Sequence, residues 1–405
     1  MEVIFLKKIL FTLLLFAVFF TFPTNGQANS NTTTIELTQN ATARFTLSTG
    51  EVIKYADLMK GQRFLASQVN DQWQIQIGNA STYIPLRFGV QARVPVTQHK
   101  RAHKLELIST SSAAVYSSKS NKTKPFATLA KDMRISSNGR TGNYYEVIIG
   151  ARKGYIHHNF VENDNGVPIL IYHHFVKNQA NSVFKNNTSV SDIDVFREQM
   201  NYLSTQKFTT ISLKDFDLWT QKKQALPGKA VALTFDDANL SLPIMIYPIL
   251  KEKNMYATSF VITGRTKEQA PEFNMETVQF SGINELRQMM DRFDLEYHTH
   301  ALHSFDTVTN KSALQYTSNN ALHYDFVHAN EVFKQIDPNI KPRYFSYPFG
   351  IYDKRQERVY IQHGVSLAFL NKGGKAPLTS PRLYVPRVPI QNKTTVAEFK
   401  KLVNN

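Results

Sequence analysis

Carboxylates and imidazoles gather in two short stretches of this chain. Asp236 and Asp237 close the apolar run Ala230-Val-Ala-Leu-Thr-Phe235, and His298, His300 and His303 follow the apolar stretch that ends at Tyr297. Neighbouring residues at the tip of a strand point in different directions, so one aspartate can bind a metal while the other handles protons. The plainer alternative for an aspartate there is a helix N-cap in the following loop. His298 and His303 are five residues apart, which on a helix would separate them by roughly 140°. A regular helix therefore cannot aim both at one ion, whereas a strand running into a loop can. With Asp237 they would form a set of two histidines and one carboxylate, with positions left open for water and substrate. His300 can replace either histidine in that scheme. Cysteine is absent, which excludes disulfides and thiolate ligands and leaves any metal to His, Asp and Glu.

Side chains that must converge need elements that end at one place. From Val167 onward the compact apolar runs Val167–Tyr172, Ala230–Phe235, Ala257–Ile262, Phe293–Tyr297, Arg343–Tyr347 and Ser366–Phe369 read as strands. Stretches with helical spacing, such as Val195–Leu203 and Leu213–Gln221, lie between the first two. This alternation predicts a parallel α/β architecture whose function gathers at the C-terminal strand ends.

Three motifs in order, Thr234-Phe235-Asp236-Asp237, His298-Thr299-x-x-x-His303 and Tyr347-Pro348-Phe349-Gly350, resemble the polysaccharide deacetylases of the NodB-homology class, carbohydrate esterase family 4. Tyr247-Pro-Ile-Leu-Lys251 and Ala257–Ile262 look like the same family's next helix and strand, and the match covers about residues 167–400. Leu170-Ile-Tyr-His173-His174 and the five-residue histidine spacing resemble the subgroup that acts on poly-β-1,6-N-acetylglucosamine. The resemblance implies a distorted (β/α) barrel. It makes Asp236 the general base acting on water, and Asp237, His298 and His303 the ligands of a divalent metal. Zinc is the default for such donors, and nickel and cobalt accept them too. His173 would protonate the leaving amine, with His174 as the alternative. The oxyanion would meet a backbone N–H near Phe349, with Tyr347 beside it, in a tight loop suited to Pro348 and Gly350. Two positions depart from the family. Ala238 stands where glycine is usual after Asp-Asp. Ser346 stands where many members carry the arginine that orients the base, a role open to Arg387 or left unfilled if Arg387 is a surface charge.

The N-terminal part has another grammar. Lys7 and Lys8 precede an apolar run from Ile9 to Phe22, and small residues lead to Ala28. This predicts a secretory signal peptide at 1–28, or else an uncleaved anchor, followed by a flexible leader at 29–34. No later stretch is long and apolar enough to span a bilayer. Tyr55–Phe64 resembles Phe126–Ile135, and Trp73, Ile75, Ile77, Gly78, Tyr83 and Ile84 align at one offset with Tyr145, Val147, Ile149, Gly150, Tyr155 and Ile156. Two matched lines predict a duplication. Period-two alternation broken by turns predicts a small antiparallel barrel in each copy. The ending Gly154-Tyr155-Ile156-His157 resembles bacterial SH3-like domains, which implies modules at 35–100 and 110–162 that bind cell-wall peptide or glycan. The alternative is a pair of spacers. The polar stretch Asn163–Gly166 marks a boundary before a deacetylase domain at 167–405.

With 405 residues, 42% of them hydrophobic and 20% charged, the chain can fill two or three cores, and disorder is excluded as its main state. Its formal charge of +15 becomes +14 once residues 1–28 are removed. On an exported protein that balance suits anionic wall polymers or membrane surfaces rather than nucleic acid, with plain solubility as the alternative. The expectation is a secreted or cell-surface enzyme that removes N-acetyl groups from an extracellular N-acetylglucosamine polymer. Poly-β-1,6-N-acetylglucosamine is the first candidate and peptidoglycan the second. The rivals are a wall-binding protein with a decayed enzyme domain and a hydrolase that cuts the glycan backbone.

Overall fold

The structure is a computed structural model and describes residues 32–120 and 124–405. The predicted signal segment and residues 29–31 of the leader lie outside the described residues. Thr32–Thr34, expected as flexible leader, instead open the strand Thr32–Leu37 because they pair with Leu65–Ser67.

Seven parallel strands close into a barrel in the C-terminal part. Around it run Ile169–Tyr172, Val385–Pro389, Leu367–Gly373, Tyr344–Ser346, Phe293–Tyr297, Ala257–Val261 and Ala230–Asp237, which pairs back to the first. Thr209–Thr210 adds to the start of Ala230–Asp237. Both faces of such strands are covered, which is why they read as continuous apolar runs. Leu233 and Phe235 point outward to a buried layer with Ile249, Leu286, Phe326 and Phe333 of the surrounding helices. The predicted strands and the helices Ile193–Thr205 and Leu213–Thr220 form where expected. Val385–Pro389 is an additional strand that its two prolines concealed. The ladder with Leu367–Gly373 is irregular between Phe369 and Gly373. Gly373, at φ 112°, makes room there, since a Cβ on it would lie 2.7 Å from that of Pro386.

The N-terminal region is strand-rich throughout. Thr32–Leu37, Ala41–Thr46, Val52–Leu58, Arg63–Val69, Gln72–Ile77, Ala80–Pro85 and Gly89–Gln91 form one unit. Leu105–Ser109, Ala113–Val115, Ala127–Leu129, Arg134–Thr141, Tyr144–Ile149, Arg152–His157 and Val161–Asn163 form the second. In both, the first strand pairs with the fourth and the last, and a 3₁₀ turn precedes the last strand. The aligned sequence lines therefore fall on equivalent strands. The units join through equivalent positions, with Asp57 opposite Thr128 and Ile77 opposite Ile149. Gly78 N–H donates to Ile148 O at 3.1 Å and Gly150 N–H to Gln76 O at 2.7 Å. These reciprocal pairs describe a local two-fold relation.

The units do not hang on a free linker. Leu107, Met133 and Ile135 of the second unit, Phe216, Trp219 and Leu226 below the barrel, and Ile169, Ala230 and Phe369 within it share one buried cluster. Arg134 seals the seam. Its Nε is 2.8 Å from Asp164 Oδ2, both side chains are almost fully buried, and its guanidinium also donates to Pro227 O and Gly166 O. From the first unit, Ser48 donates to the Asp215 carboxylate through N at 2.7 Å and Oγ at 2.9 Å. Asp215 also completes the capping box of Leu213–Thr220.

Candidate active site

Strand ends deliver the predicted residues to one point at the C-terminal rim. Asp236 and Asp237 end Ala230–Asp237, and His298 follows Phe293–Tyr297, its N–H donating to Val261 O at 3.1 Å. The chain then turns so that His303 comes back over His298. Nε2 of His298 lies 3.4 Å from Asp237 Oδ1, Nε2 of His303 lies 3.3 Å from the same oxygen, and the two Nε2 atoms are 3.2 Å apart. Ligands about 2.0–2.1 Å from a tetrahedral ion are separated by about 3.3 Å, so this triangle matches one face of such a site.

The donors are prepared for a cation. Asp237 Oδ1 is buried and has no hydrogen-bond partner, a costly state that an ion would relieve. Nδ1 of His298 donates to Ser346 O at 2.8 Å, which aims Nε2 into the triangle. Burial lowers the pKa of His298, but Asp236 and Asp237 outweigh it and raise the value, so that without an ion the imidazole is favoured in its charged form. Burial and the neighbouring His298 push His303 down to about 4, keeping it neutral and able to ligate. Burial works against ionisation of Asp237, but His298, His173 and His303 outweigh it and hold its carboxyl well below the usual range.

Asp236 faces a different partner. Arg387, fully buried, meets it with two parallel bonds, Nη1 to Oδ1 and Nη2 to Oδ2, each 2.8 Å. Nη2 also donates to Ser346 Oγ at 2.7 Å, and that hydroxyl donates to Asp236 Oδ2 at 2.8 Å. Arg387 and Ser346 thus hold both oxygens of Asp236, and Arg387 is not a surface charge. Burial raises the Asp236 pKa, yet Arg387 and His298 prevail and hold it at about 2.

Backbone strain clusters at this rim. Asp237 (φ 75°), Ala238 (φ 54°), Thr299 (φ 70°) and Phe349 (φ 61°) all adopt left-handed conformations, each costing about 1–2 kcal/mol in a residue with a Cβ. Ala238 therefore takes the backbone conformation that a glycine would take more cheaply. The His298–His303 loop is fixed from two sides. Asp325, on the buried face of helix Asn319–Ile336, accepts from His300 N and Ala301 N, both at 2.7 Å. Gly264 lies so close that a Cβ would sit 2.3 Å from His300 O.

The other predicted residues separate. His173 is half-buried and directly follows Ile169–Tyr172, the strand that pairs with Ala230–Asp237. His174 is committed elsewhere, with Nε2 3.3 Å from Met275 O and Nδ1 3.1 Å from Ser241 Oγ. His300 turns to Thr263 Oγ1 at 3.1 Å and lies outside the Asp237–His298–His303 group. Phe349 is exposed, with its ring 4.8 Å from that of His303. Tyr347 is not presented to a ligand. It is buried, its hydroxyl donates to Leu383 O and its N–H to Phe369 O, both at 3.1 Å. Asp325 was missed by sequence reasoning, although an acidic residue on the Leu322–Phe326–Ala329 face was a visible signal.

Residues 223–368 match the family model described as polysaccharide deacetylase. A poly-β-1,6-N-acetyl-D-glucosamine N-deacetylase from Staphylococcus aureus is 29% identical over 210 residues, covering 51% of this chain and 69% of that protein. Among solved structures, the deacetylase PplD from Streptococcus pyogenes, in complex with acetate, superposes with a TM-score of 0.50 at 19% identity, over 60% of this chain and all of that one. IcaB from Ammonifex degensii does so with a TM-score of 0.50 at 22% identity, over 59% of this chain and 97% of that one. Those two likenesses concern the barrel fold. The C-terminal barrel of this chain thus contains a polysaccharide deacetylase domain, matched over residues 223–368.

Proposed function

We propose that the protein removes N-acetyl groups from N-acetylglucosamine residues of an extracellular polysaccharide, with poly-β-1,6-N-acetylglucosamine preferred over peptidoglycan. The carrying observation is the pair of adjacent aspartates in opposite environments, Asp236 locked to Arg387 and Asp237 facing two imidazoles. Asp237, His298 and His303 would hold one divalent metal, zinc by default with nickel or cobalt as alternatives, which would polarise the acetyl carbonyl and acidify the attacking water. That help is needed, because a carboxylate stabilised as Asp236 is makes a weak base. Asp236 takes the proton of the water while Arg387 and Ser346 keep both of its oxygens in place. The Phe349 backbone N–H donates to the developing oxyanion. His173 gives a proton to the amine nitrogen as the C–N bond breaks, and acetate and a free amine leave.

The N-terminal units are read as SH3-like modules at 35–100 and 110–162, and the deacetylase domain as 167–405. Export through the 1–28 segment places the enzyme at the cell surface, where the modules meet wall polymer. The preference for poly-β-1,6-N-acetylglucosamine is supported by the likeness to the staphylococcal poly-β-1,6-N-acetyl-D-glucosamine N-deacetylase. No helix among the described residues is long and apolar enough to cross a membrane. Incubation with each polymer and counting of liberated amines tests the reading. Release from poly-β-1,6-N-acetylglucosamine at unchanged chain length is expected. Shortened chains would instead indicate backbone cleavage, and no release from either polymer would overturn deacetylation.

A further inference from the structure

We propose that the cleft between the two N-terminal units is a binding site for a sugar unit carrying an anionic substituent, a carboxylate or a phosphate. This deepens the wall-binding reading of those units and stands apart from catalysis. Charge is unevenly spread along the chain. Residues 32–163 hold 17 Lys and Arg against 8 Asp and Glu, whereas residues 164–405 hold 28 against 23. A third of the chain thus carries most of the positive excess, and long-range attraction of anionic polymer centres there.

The cleft has a volume of about 280 Å³, room for a single sugar rather than a length of chain. Its floor is the outward side of Arg63–Val69 and Gln72–Ile77, where Ser67, Gln74 and Gln76 offer hydroxyl and amide groups. Ile148 of the second unit supplies an apolar wall, and His99 and Arg101 of the connecting segment supply the other. Neutral hydrogen-bonding groups beside an apolar surface suit a pyranose ring, and the guanidinium suits an acidic group on it.

Arg101 is held ready for that task. The connecting segment is pinned by His99 N to Ala151 O at 2.8 Å, Ala102 N to Asn138 Oδ1 at 2.6 Å and Lys104 N to Ser137 O at 2.9 Å. Its guanidinium donates to Gly78 O. Among the described residues no carboxylate lies within ion-pair distance of the remaining donors. The local two-fold does not repeat the site. Gln74 corresponds to Glu146, which is 3.1 Å from Lys153 and bonded to Asn138. One site per chain follows.

The full-length protein would be titrated by calorimetry, or by saturation-transfer NMR, with three monosaccharides. N-acetylglucosamine is the neutral probe, N-acetylmuramic acid adds a carboxylate to the same ring, and N-acetylglucosamine 6-phosphate adds a phosphate. Either acidic probe should bind about tenfold more tightly than the neutral one. That difference should shrink with salt and vanish in Arg101→Glu, while amine release from a soluble oligomer stays at the wild-type rate. Which acidic probe gains more identifies the source of the anion. Equal binding of all three, no binding, or retention of the difference in Arg101→Glu would overturn the site. Amine release would be untouched by that failure, so the catalytic reading stands or falls separately. Should Arg101→Glu also lose amine release, Gln74→Glu, which puts a carboxylate into the floor, must abolish the acidic preference or the proposal fails.

Discussion

Two buried arginine–aspartate pairs sit at opposite ends of the barrel. At the base, Arg134 and Asp164 join the second N-terminal unit to the barrel, and the arginine's other donors go to the carbonyls of Pro227 and Gly166. At the rim, Arg387 and Asp236 form an equally buried pair, but the next residue, Asp237, keeps an oxygen with no hydrogen-bond partner. The base pair ends in backbone and closes a seam. The rim pair ends beside an unsatisfied carboxylate and two imidazoles and opens a site. The same ion-pair chemistry thus serves adhesion or reactivity according to what its neighbours leave unfilled.

The largest effect should come from Asp237→Ala. It removes the unsatisfied oxygen and should lower amine release on the order of a thousandfold or more, with a thermal midpoint close to wild type. An active Asp237→Ala enzyme would break the contrast between the two ends. Arg387→Ala should lose about 3–5 kcal/mol of stability, because Asp236 would stay buried without its partner. It should also lower kcat with little change in KM. Arg134→Ala should cost a similar 3–5 kcal/mol while kcat of the folded enzyme is unchanged. Denaturant titration paired with steady-state kinetics on both variants separates the two pairs.

The smallest effect concerns Glu106, below the barrel. Burial, with Asp164 adding to it, raises its carboxyl from 4.5 to about 7. A raised folded-state value means that the protonated form is favoured by folding. Its contribution is complete below pH 4.5 and disappears as pH rises through 7. Glu106→Gln should therefore flatten the fall in stability across that window, by about 1–2 kcal/mol after discounting for partial exposure. Thermal midpoints at pH 5 and pH 8 would check it, and an unchanged slope would contradict the assignment.

The contrast also marks where sequence reasoning reached. Ala230–Asp237 and Phe293–His303 were legible because apolar runs ending in acids and imidazoles signal barrel strands and the chemistry at their tips. The duplication was legible because both copies keep the same strand-facing positions. The strand bearing Arg387 was hidden, since Pro386 and Pro389 argue against a central strand and only the irregular pairing near Gly373 admits them. Sequence motifs at Tyr347 could not tell a core residue from one at the rim, as both are apolar and follow the same strand. The fusion of the N-terminal units to the barrel rests on contacts such as Met133 with Pro227, which no local pattern encodes. Asn163–Gly166 read as a polar boundary between domains, yet Asp164 is buried in the seam.

The most direct test is metal dependence of amine release. The purified protein, stripped by a chelator and then supplied with zinc, nickel or cobalt, would be assayed on poly-β-1,6-N-acetylglucosamine beside the His298→Ala/His303→Ala variant. The account predicts about one metal per chain, activity lost on stripping and regained on addition, and neither in the variant. Full activity after stripping, or a metal content unaffected by the two substitutions, would contradict it.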